Sequence, residues 1–252
     1  MKLRLAALLL LLAARASLAQ PPPAPAPAPG APAAAPAPPP PIKGEVTFGY
    51  LSTKGNTDSQ SANGTFALVY TLPRWSHNFD LAANSSEADA TTTAEAYSAK
   101  YKAKRQFDEG KSYLFTALDW RHDRFSAYEE ELSESAGYGR RLIERGKSVL
   151  NGEVGAGARQ ATRIDQTKED EAIVRLGVDY TLAFTDKTGF KQTLVIESGS
   201  SNTSTEAISA LRAQLAGKVG LVLSFRIKTN STVPPGVVAT DRFTSIALSY
   251  AF

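Results

Sequence analysis

The sequence predicts an all-β protein: an antiparallel up-and-down transmembrane β-barrel of twelve strands, preceded by a disordered segment rich in proline and alanine. Three observations lead to this prediction. From residue 43 onward, large apolar residues recur at every second position. Tight turns alternate with longer polar connections along the chain. The alternation also continues through the stretch TSIALSYAF, which finishes on Phe252 as if this residue must be held in a strand.

Residues 1–19 are predicted to be a signal peptide. Lys2 and Arg4 precede an apolar run, and small residues follow it, so we expect cleavage after Ala19. The run is shorter than the roughly 20 apolar residues that a membrane-spanning helix needs. The chain has 28 basic and 25 acidic residues, and the signal peptide holds three of the basic ones. The remainder is formally neutral, which argues against a nucleic-acid partner.

Residues 20–42 are predicted to be a disordered linker. Proline lacks the N–H donor that helices and sheets require, so we expect an extended spacer in the periplasm that acts as a passive tether. The chain has no cysteine, which excludes disulfide bonds and a lipid-modified cysteine at Gln20. Residues 43–252 then form the barrel domain.

The alternating segments divide into twelve predicted strands. Each places large apolar residues on one face and small or polar residues on the other, as residues 174–184 illustrate. The fifth strand is the least regular. Tyr113, Phe115 and Ala117 set its apolar face, but Asp119 falls on the same face. We therefore expect a β-bulge there, or an early exit from the apolar zone.

The connections between the strands are of two kinds. The tight ones are rich in glycine, proline or charge, and they lie at residues 73–77, 108–111, 144–147, 185–189 and 216–218. The longer polar ones lie at residues 52–59, 84–93, 124–131, 159–170, 199–206 and 230–241. Because the two kinds alternate strictly, an up-and-down arrangement collects all tight turns at one end. An even number of strands and one end of short turns are typical of an outer membrane barrel.

The direction of the two faces distinguishes a membrane barrel from a soluble one. Hydrocarbon offers no hydrogen bonds, so a sheet in lipid must close on itself and leave no edge. We therefore expect the apolar face to contact acyl chains and the charged face to line the lumen. A soluble periplasmic ligand-binding barrel reverses this pattern, and it is kept as an alternative.

The charged face supplies the candidate lumen-lining residues. Lys100, Lys102 and Lys104 form a basic ladder on one strand. The ladder either attracts anions as a pore wall or pairs with acids such as Asp80 or Glu134. The other candidate lumen-lining residues are Glu153, Arg175, Asp179, Arg212, Arg226 and Lys228.

Two short motifs carry a family resemblance. GYLSTKGNTD at residues 49–58 and ESAGYGRRL at residues 134–142, with the signal peptide and the aromatic ending, resemble a family of salt-induced outer membrane proteins of Gram-negative bacteria. This family is a domain of unknown function, so the resemblance implies a location but no activity. By the same resemblance, Tyr250 and Phe252 are an assembly signal read by the barrel-assembly machinery. The linker departs from the family pattern.

Motifs for catalysis or metal binding are weak. RGKS at residues 145–148 and GKS at residues 110–112 lack the earlier glycine of a phosphate loop. His77 and His122 without any cysteine make a poor zinc site. We predict no metal, no cofactor and no catalytic residue. A hydrolase that uses a serine with His122 and Asp123 is kept as an alternative.

Acidic residues cluster at 129–131 and 165–171, in predicted outer loops. They either bind divalent cations that bridge lipopolysaccharide or are solvated loop charges. The sequence as a whole predicts a non-enzymatic outer membrane barrel of the salt-induced type, serving envelope adaptation and a candidate narrow diffusion channel for small solutes or ions. The alternatives are a barrel-embedded envelope hydrolase and the soluble barrel. The expected partners are outer membrane lipid, lipopolysaccharide and, during insertion, the barrel-assembly machinery.

Overall fold

Twelve β-strands form one closed antiparallel barrel in the computed structural model, which describes residues 41–53 and 59–252. The strands are β1 Ile42–Thr53, β2 Ser59–Thr71, β3 Trp75–Ala88, β4 Thr91–Phe107, β5 Ser112–Asp123, β6 Tyr128–Arg145, β7 Ser148–Arg163, β8 Lys168–Ala183, β9 Thr188–Ser198, β10 Thr203–Ala216, β11 Val219–Asn230 and β12 Thr240–Ala251. Each strand pairs with its neighbours in sequence, and β12 pairs with β1, so the predicted architecture is confirmed. The predicted signal peptide, the linker up to residue 40 and residues 54–58 lie outside the described residues.

A short seam between β1 and β12 closes the barrel. Its register runs from Glu45 paired with Ala251 to Phe48 paired with Leu248. The backbone N–H of Phe252 then donates to the carbonyl oxygen of Gly44 at 2.9 Å, and the reciprocal bond measures 3.0 Å. By contrast, β1 pairs with β2 along its whole length. Among the described strands, the seam is therefore the shortest ladder.

The outer face of the barrel is apolar and the inner face is polar. On β12, the side chains of Ile246 and Leu248 are 64% and 58% exposed, whereas Ala247 and Ser249 between them are 4% and 5% exposed. This direction suits a barrel surrounded by lipid, where the apolar surface contacts acyl chains. A soluble binding barrel has the opposite arrangement. The alternative of a soluble periplasmic barrel is therefore wrong.

Strand β5 differs from its prediction in two ways. Tyr113, Phe115 and Ala117 are buried on the inner face, while Leu114 and Leu118 are exposed on the outer face. Its pairing with β4 and β6 runs without a register shift, so the expected bulge is absent from this strand. Both faces of the segment carry large apolar residues. Alternation alone therefore could not show which face contacts lipid.

Most of the connections predicted to be long are short in the structure. Asp89 and Ala90 alone join β3 to β4, both with positive φ, and residues 164–167 join β7 to β8. The polar segments beside them extend the strands past the apolar zone, and their composition resembles that of loops. Among the described connections, residues 231–239 between β11 and β12 form the longest.

The turn between β4 and β5 contains one 3₁₀ turn, Asp108–Gly110. Three successive residues there, Asp108, Glu109 and Gly110, have positive φ values of 53°, 52° and 83°. Such values are uncommon for residues other than glycine. Within the described part of the chain, no helix is long and apolar enough to cross a membrane.

Candidate functional site

Ion pairs between strands that are not neighbours cross the interior of the barrel. Lys228 on β11 pairs with Glu131 on β6, and Lys100 on β4 pairs with Glu206 on β10 at 2.6 Å. In the ring of twelve strands, β4 and β10 stand opposite each other. Two side chains on opposite strands can meet only through the interior, so these pairs narrow the enclosed space.

One buried carboxylate organises the part of the interior nearer the short turns. The side chain of Glu153 on β7 is 1% exposed and pairs with Lys102, while Lys104 Nζ lies 3.4 Å from its Oε1. The Tyr113 hydroxyl donates to the same Oε1 at 2.9 Å. Lys102 and Lys104 also lie over the rings of Phe115 and Tyr113, at 5.0 Å and 4.6 Å from the ring centroids. Two lysines thus share one acid and two aromatic faces.

A glycine makes room for this arrangement. A side chain at Gly139 on β6 would meet the ring of Tyr113, which lies across that position. The ring can therefore lie flat against the wall of the barrel, with its hydroxyl directed at Glu153. The motif GYG at residues 137–139 contributes to the site by leaving space rather than by supplying a reactive group.

A second network fills the middle of the barrel. Lys100 Nζ lies 3.5 Å from Asp119 in addition to its bond to Glu206. Arg175 lies 2.6 Å from Glu197 and 3.4 Å from Asp119, so Asp119 links the two cations. Arg226 Nε donates to Glu206 at 2.6 Å. Because each carboxylate has at least one basic partner, the cost of enclosing these charges is reduced.

A cavity of about 60 Å³ remains among these side chains. Such a volume holds about four water molecules. Five basic and four acidic residues line it, namely Lys100, Arg121, Arg175, Arg226 and Lys228 with Asp119, Glu131, Glu197 and Glu206. The narrow part of the interior is therefore hydrophilic and close to neutral in charge.

The β11–β12 connection, residues 231–239, covers part of the end opposite the short turns, and we call it the mouth loop. It packs against a buried cluster on the other side of the barrel, which consists of Ala127, Tyr128 and Ala161. Val233 and Val237 supply the contacts from the loop. The Tyr128 hydroxyl also donates to the carbonyl oxygen of Thr232 at 3.3 Å. The mouth loop therefore narrows the opening.

Asn202, between β9 and β10, holds the start of the mouth loop. It is 2% exposed, and its Oδ1 accepts the backbone N–H of Thr232 at 3.2 Å. Its Nδ2 donates to Asn230 Oδ1 at 3.0 Å, and its carbonyl oxygen accepts from Arg159 at 2.6 Å. Arg159 in turn pairs with Glu171. A fixed polar network therefore anchors one end of the loop.

The structure brings most of the candidate lumen residues into these networks. Seven belong to the pairs described above: Lys100, Lys102, Lys104, Glu153, Arg175, Arg226 and Lys228. Arg212 pairs with Glu45 on β1. Asp179 on β8 lies opposite Asn151 on β7 and Thr193 on β9, and it forms no ion pair within the described residues. Tyr250 and Phe252, the candidate assembly signal, lie on the outer face, 50% and 46% exposed.

Sequence reasoning missed the acids that pair with the basic ladder. Glu134 is wrong as a partner, because it shares the outer face with Tyr138, whereas the ladder points inward. Asp80 is registered beside Lys100 but does not pair with it. Lys100 pairs instead with Asp119 on β5 and Glu206 on β10, while Lys102 and Lys104 pair with Glu153 on β7. Alternation does not show which strands meet across the barrel.

The hydrolase arrangement that was kept as an alternative does not form. His122 and Asp123 are adjacent in β5, so their side chains point to opposite faces of the sheet. Asp123 instead accepts from Arg121 at 2.6 Å. Within the described residues, no group of histidine and acidic side chains is placed to hold a metal ion. The acidic cluster at 129–131 contributes Glu131 to the interior pairs.

The closed ring of strands, the apolar outer face and the charged interior define the class of this protein, a porin-like β-barrel of the outer membrane. Residues 46–252 match the family described as "Protein of unknown function, DUF481". The chain belongs to this family. The match confirms the family resemblance that the two sequence motifs indicated.

One protein sequence and two solved structures are similar to this chain at low identity. "Uncharacterized protein YdiY" of Escherichia coli (strain K12) is 29% identical over 212 residues, which cover 83% of this chain and 82% of that protein. The NanC porin aligns with a TM-score of 0.50 at 8% identity, over 82% of this chain and 98% of the porin. The COG4313 outer membrane channel from Pseudomonas putida F1 gives 0.49 at 12% identity, over 84% of this chain and 95% of that one. The likeness to the NanC porin shows the fold alone.

Proposed function

We propose that this protein is a narrow channel for water, small ions and other small solutes across the outer membrane. The observation that carries the proposal is the charged interior, in which paired side chains surround a cavity of about 60 Å³. Replacing buried ion pairs with apolar residues of similar volume is often neutral or stabilising. Stability alone therefore does not account for so many enclosed charges, whereas a hydrated path does.

The size and the charge of the narrow part limit what passes. Room for about four water molecules excludes large substrates while the pairs stay formed. Five basic and four acidic residues around the cavity favour neither cations nor anions strongly. We therefore infer a small conductance with weak charge selectivity.

Salt acts on such a channel through its ion pairs. The Debye length falls from about 10 Å at 0.1 M to about 3 Å at 1 M, and exposed pairs are screened more than buried ones. The pair between Lys100 and Glu206, which crosses the interior, is partly exposed, at 35% and 13% of the side chains. Loosening of this pair in high salt would widen the middle of the barrel. We therefore infer a role in adaptation of the envelope to salt.

Removing one cross-barrel pair tests the channel directly. We expect the double variant Lys228→Ala/Glu131→Ala to show a larger single-channel conductance in planar bilayers than the wild type. Both partners are lost, so no buried charge is left unpaired, and the bridge between β11 and β6 is gone. The matched control is Lys147→Ala/Asp186→Ala, whose exposed pair lies at the short turns. A flat trace for the wild type and the double variant would rule out conduction.

The mouth loop offers a second test of the channel. We expect Val233→Asp/Val237→Asp to increase the fraction of time that single barrels conduct, because two carboxylates cannot remain against the buried cluster at Tyr128. Val238→Asp is the control, since this neighbour in the same loop is 70% exposed. If both variants conduct like the wild type, the loop does not limit passage.

A further inference from the structure

A groove on the outer surface, at the end with the short turns, lies between the β2–β3 connection and the β4–β5 turn. It is an open groove with a volume of about 720 Å³. Its walls include Arg74, Arg105, Phe107 and Leu114, together with the turn that contains Asp108 and Glu109. Neither the interior nor the mouth loop uses any of these residues. The groove is therefore a separate feature of the barrel.

Aromatic side chains place this groove at the boundary between membrane and water. Trp75 stacks on His77 at 6.1 Å between ring centroids, and His77 Nδ1 bonds the Tyr101 hydroxyl at 2.9 Å. Trp75 and Tyr70 are 43% and 36% exposed on the outer face. Belts of tryptophan and tyrosine mark the headgroup level of a bilayer. Since short turns lie on the periplasmic side of outer membrane barrels, this level belongs to the periplasm-facing leaflet.

The floor of the groove continues into the hydrocarbon layer. Phe107 and Leu114 line the groove, and they are 44% and 53% exposed on the outer face. Leu118 follows on the same face of β5, further from the turn, and is 45% exposed. A molecule with its polar end in the groove can therefore lay an apolar chain along β5.

The charges around the groove are separated rather than paired. Arg74 and Arg105 lie on the strand side, where Arg105 sits 6.0 Å from the centroid of the Trp75 ring. Asp108 and Glu109 lie on the turn. Among the described residues, none of these four charged side chains forms an ion pair with another. Two cations near the strands and two acids on the turn match a ligand that carries a phosphate and an amine.

We propose that the groove binds a phospholipid from the periplasm-facing leaflet whose zwitterionic headgroup carries a primary ammonium group, which can donate hydrogen bonds to carboxylates. The phosphate accepts hydrogen bonds from Arg74 and Arg105, whose planar guanidinium groups suit phosphate oxygens. The ammonium group lies toward Asp108 and Glu109. An acyl chain runs along Leu114. A purely anionic lipid would face the two acids without a compensating charge, and free phosphate would leave the apolar floor uncovered.

Retention of lipid by the intact barrel tests this proposal. The full chain is inserted into vesicles of equal parts phosphatidylethanolamine, phosphatidylglycerol and phosphatidylcholine, and the lipids that remain bound after extraction are counted by native mass spectrometry. We expect the wild type to retain phosphatidylethanolamine preferentially. Arg74→Ala/Arg105→Ala should lower that retention roughly thirtyfold, since two basic contacts with a lipid surface are lost.

A second variant separates the amine from the phosphate. We expect Asp108→Asn/Glu109→Gln to shift the preference from phosphatidylethanolamine to phosphatidylglycerol, with phosphate binding kept. The control Lys187→Ala/Lys218→Ala removes two cations from other short turns and should retain lipid like the wild type. Equal retention of the three lipids by the wild type overturns the proposal, as does equal retention by the arginine variant and its control. Lipid retention is measured without reference to conductance. A failure of the lipid proposal therefore leaves the channel proposal unaffected, and a failure of the channel proposal leaves the lipid proposal unaffected.

Discussion

Replacing Glu153 with alanine is expected to lower the free energy of unfolding by about 3–5 kcal/mol, the usual cost of breaking a buried ion pair from one side. The carboxylate is 1% exposed and serves both Lys102 and Lys104. It also accepts the Tyr113 hydroxyl at 2.9 Å. Alanine would leave two ammonium groups enclosed by the barrel wall without an acid. This is the largest single loss that we expect from the interior.

Urea unfolding in lipid vesicles, followed by tryptophan fluorescence, measures this effect. The control is Glu144→Ala, because Glu144 pairs with Arg141 at a site where its side chain is 58% exposed. Such a pair contributes less than about 1 kcal/mol. If Glu153→Ala unfolds at the same urea concentration as this control, the interior pairs carry no stability.

A triple variant shows whether unpaired charge is the cause. Lys102→Met/Lys104→Met/Glu153→Leu removes all three charges and roughly keeps their volume. We expect it to be at least as stable as the wild type, because apolar replacement of a buried ion network is often neutral or better. A loss equal to that of Glu153→Ala would assign the effect to packing around Tyr113 instead.

Much of the fold could be predicted because a membrane barrel imposes one simple rule on every strand. Lipid contacts one face and water or charge the other, so the period of two recurs around the whole ring. On β12, large exposed residues such as Ile246 alternate with small buried ones such as Ala247. The strand number followed from the alternation of connections. Closure followed from the need to pair every strand edge in lipid.

The predictions failed where the two faces of a segment do not differ in polarity. In β5, Phe115 faces the interior and Leu114 faces lipid, so both faces are apolar and the pattern does not distinguish them. The stretch at residues 84–93 was predicted to be a loop because it is polar. In the structure it continues β3 and β4 around a turn of two residues. Polar strands beyond the apolar zone have the composition of loops.

The ion pairs that cross the interior of the barrel could not be predicted from the sequence. Alternation puts Lys100 on an inward face, but Glu206 fell within the connection predicted at residues 199–206, and the two residues are 106 positions apart on opposite strands. Which residues meet depends on the stagger of the strands and on the width of the ring. Small residues also matter, since Gly139 leaves the space that Tyr113 occupies. None of these quantities can be read from period or composition.

Replacing Phe252 with glycine tests the proposed assembly signal and the seam together. The ring lies over Gly44, and its centroid is 6.5 Å from that of Phe66. Because the ring is about half exposed, we expect its loss to destabilise the refolded barrel by only about 1–2 kcal/mol. In cells we expect a much larger loss of inserted barrel, because the assembly machinery would no longer find its aromatic residue.

Packing at the seam and recognition during assembly predict that the Phe252→Gly defect appears in different assays. Refolding of purified protein into vesicles reports the seam, where the backbone bonds to Gly44 are kept in the glycine variant. The yield of heat-modifiable barrel in outer membranes reports recognition. Phe184→Gly is the matched control, an aromatic residue 53% exposed at another short turn. If Phe252→Gly and Phe184→Gly reach the outer membrane in equal amounts, the ring acts only as packing across the short ladder between β1 and β12.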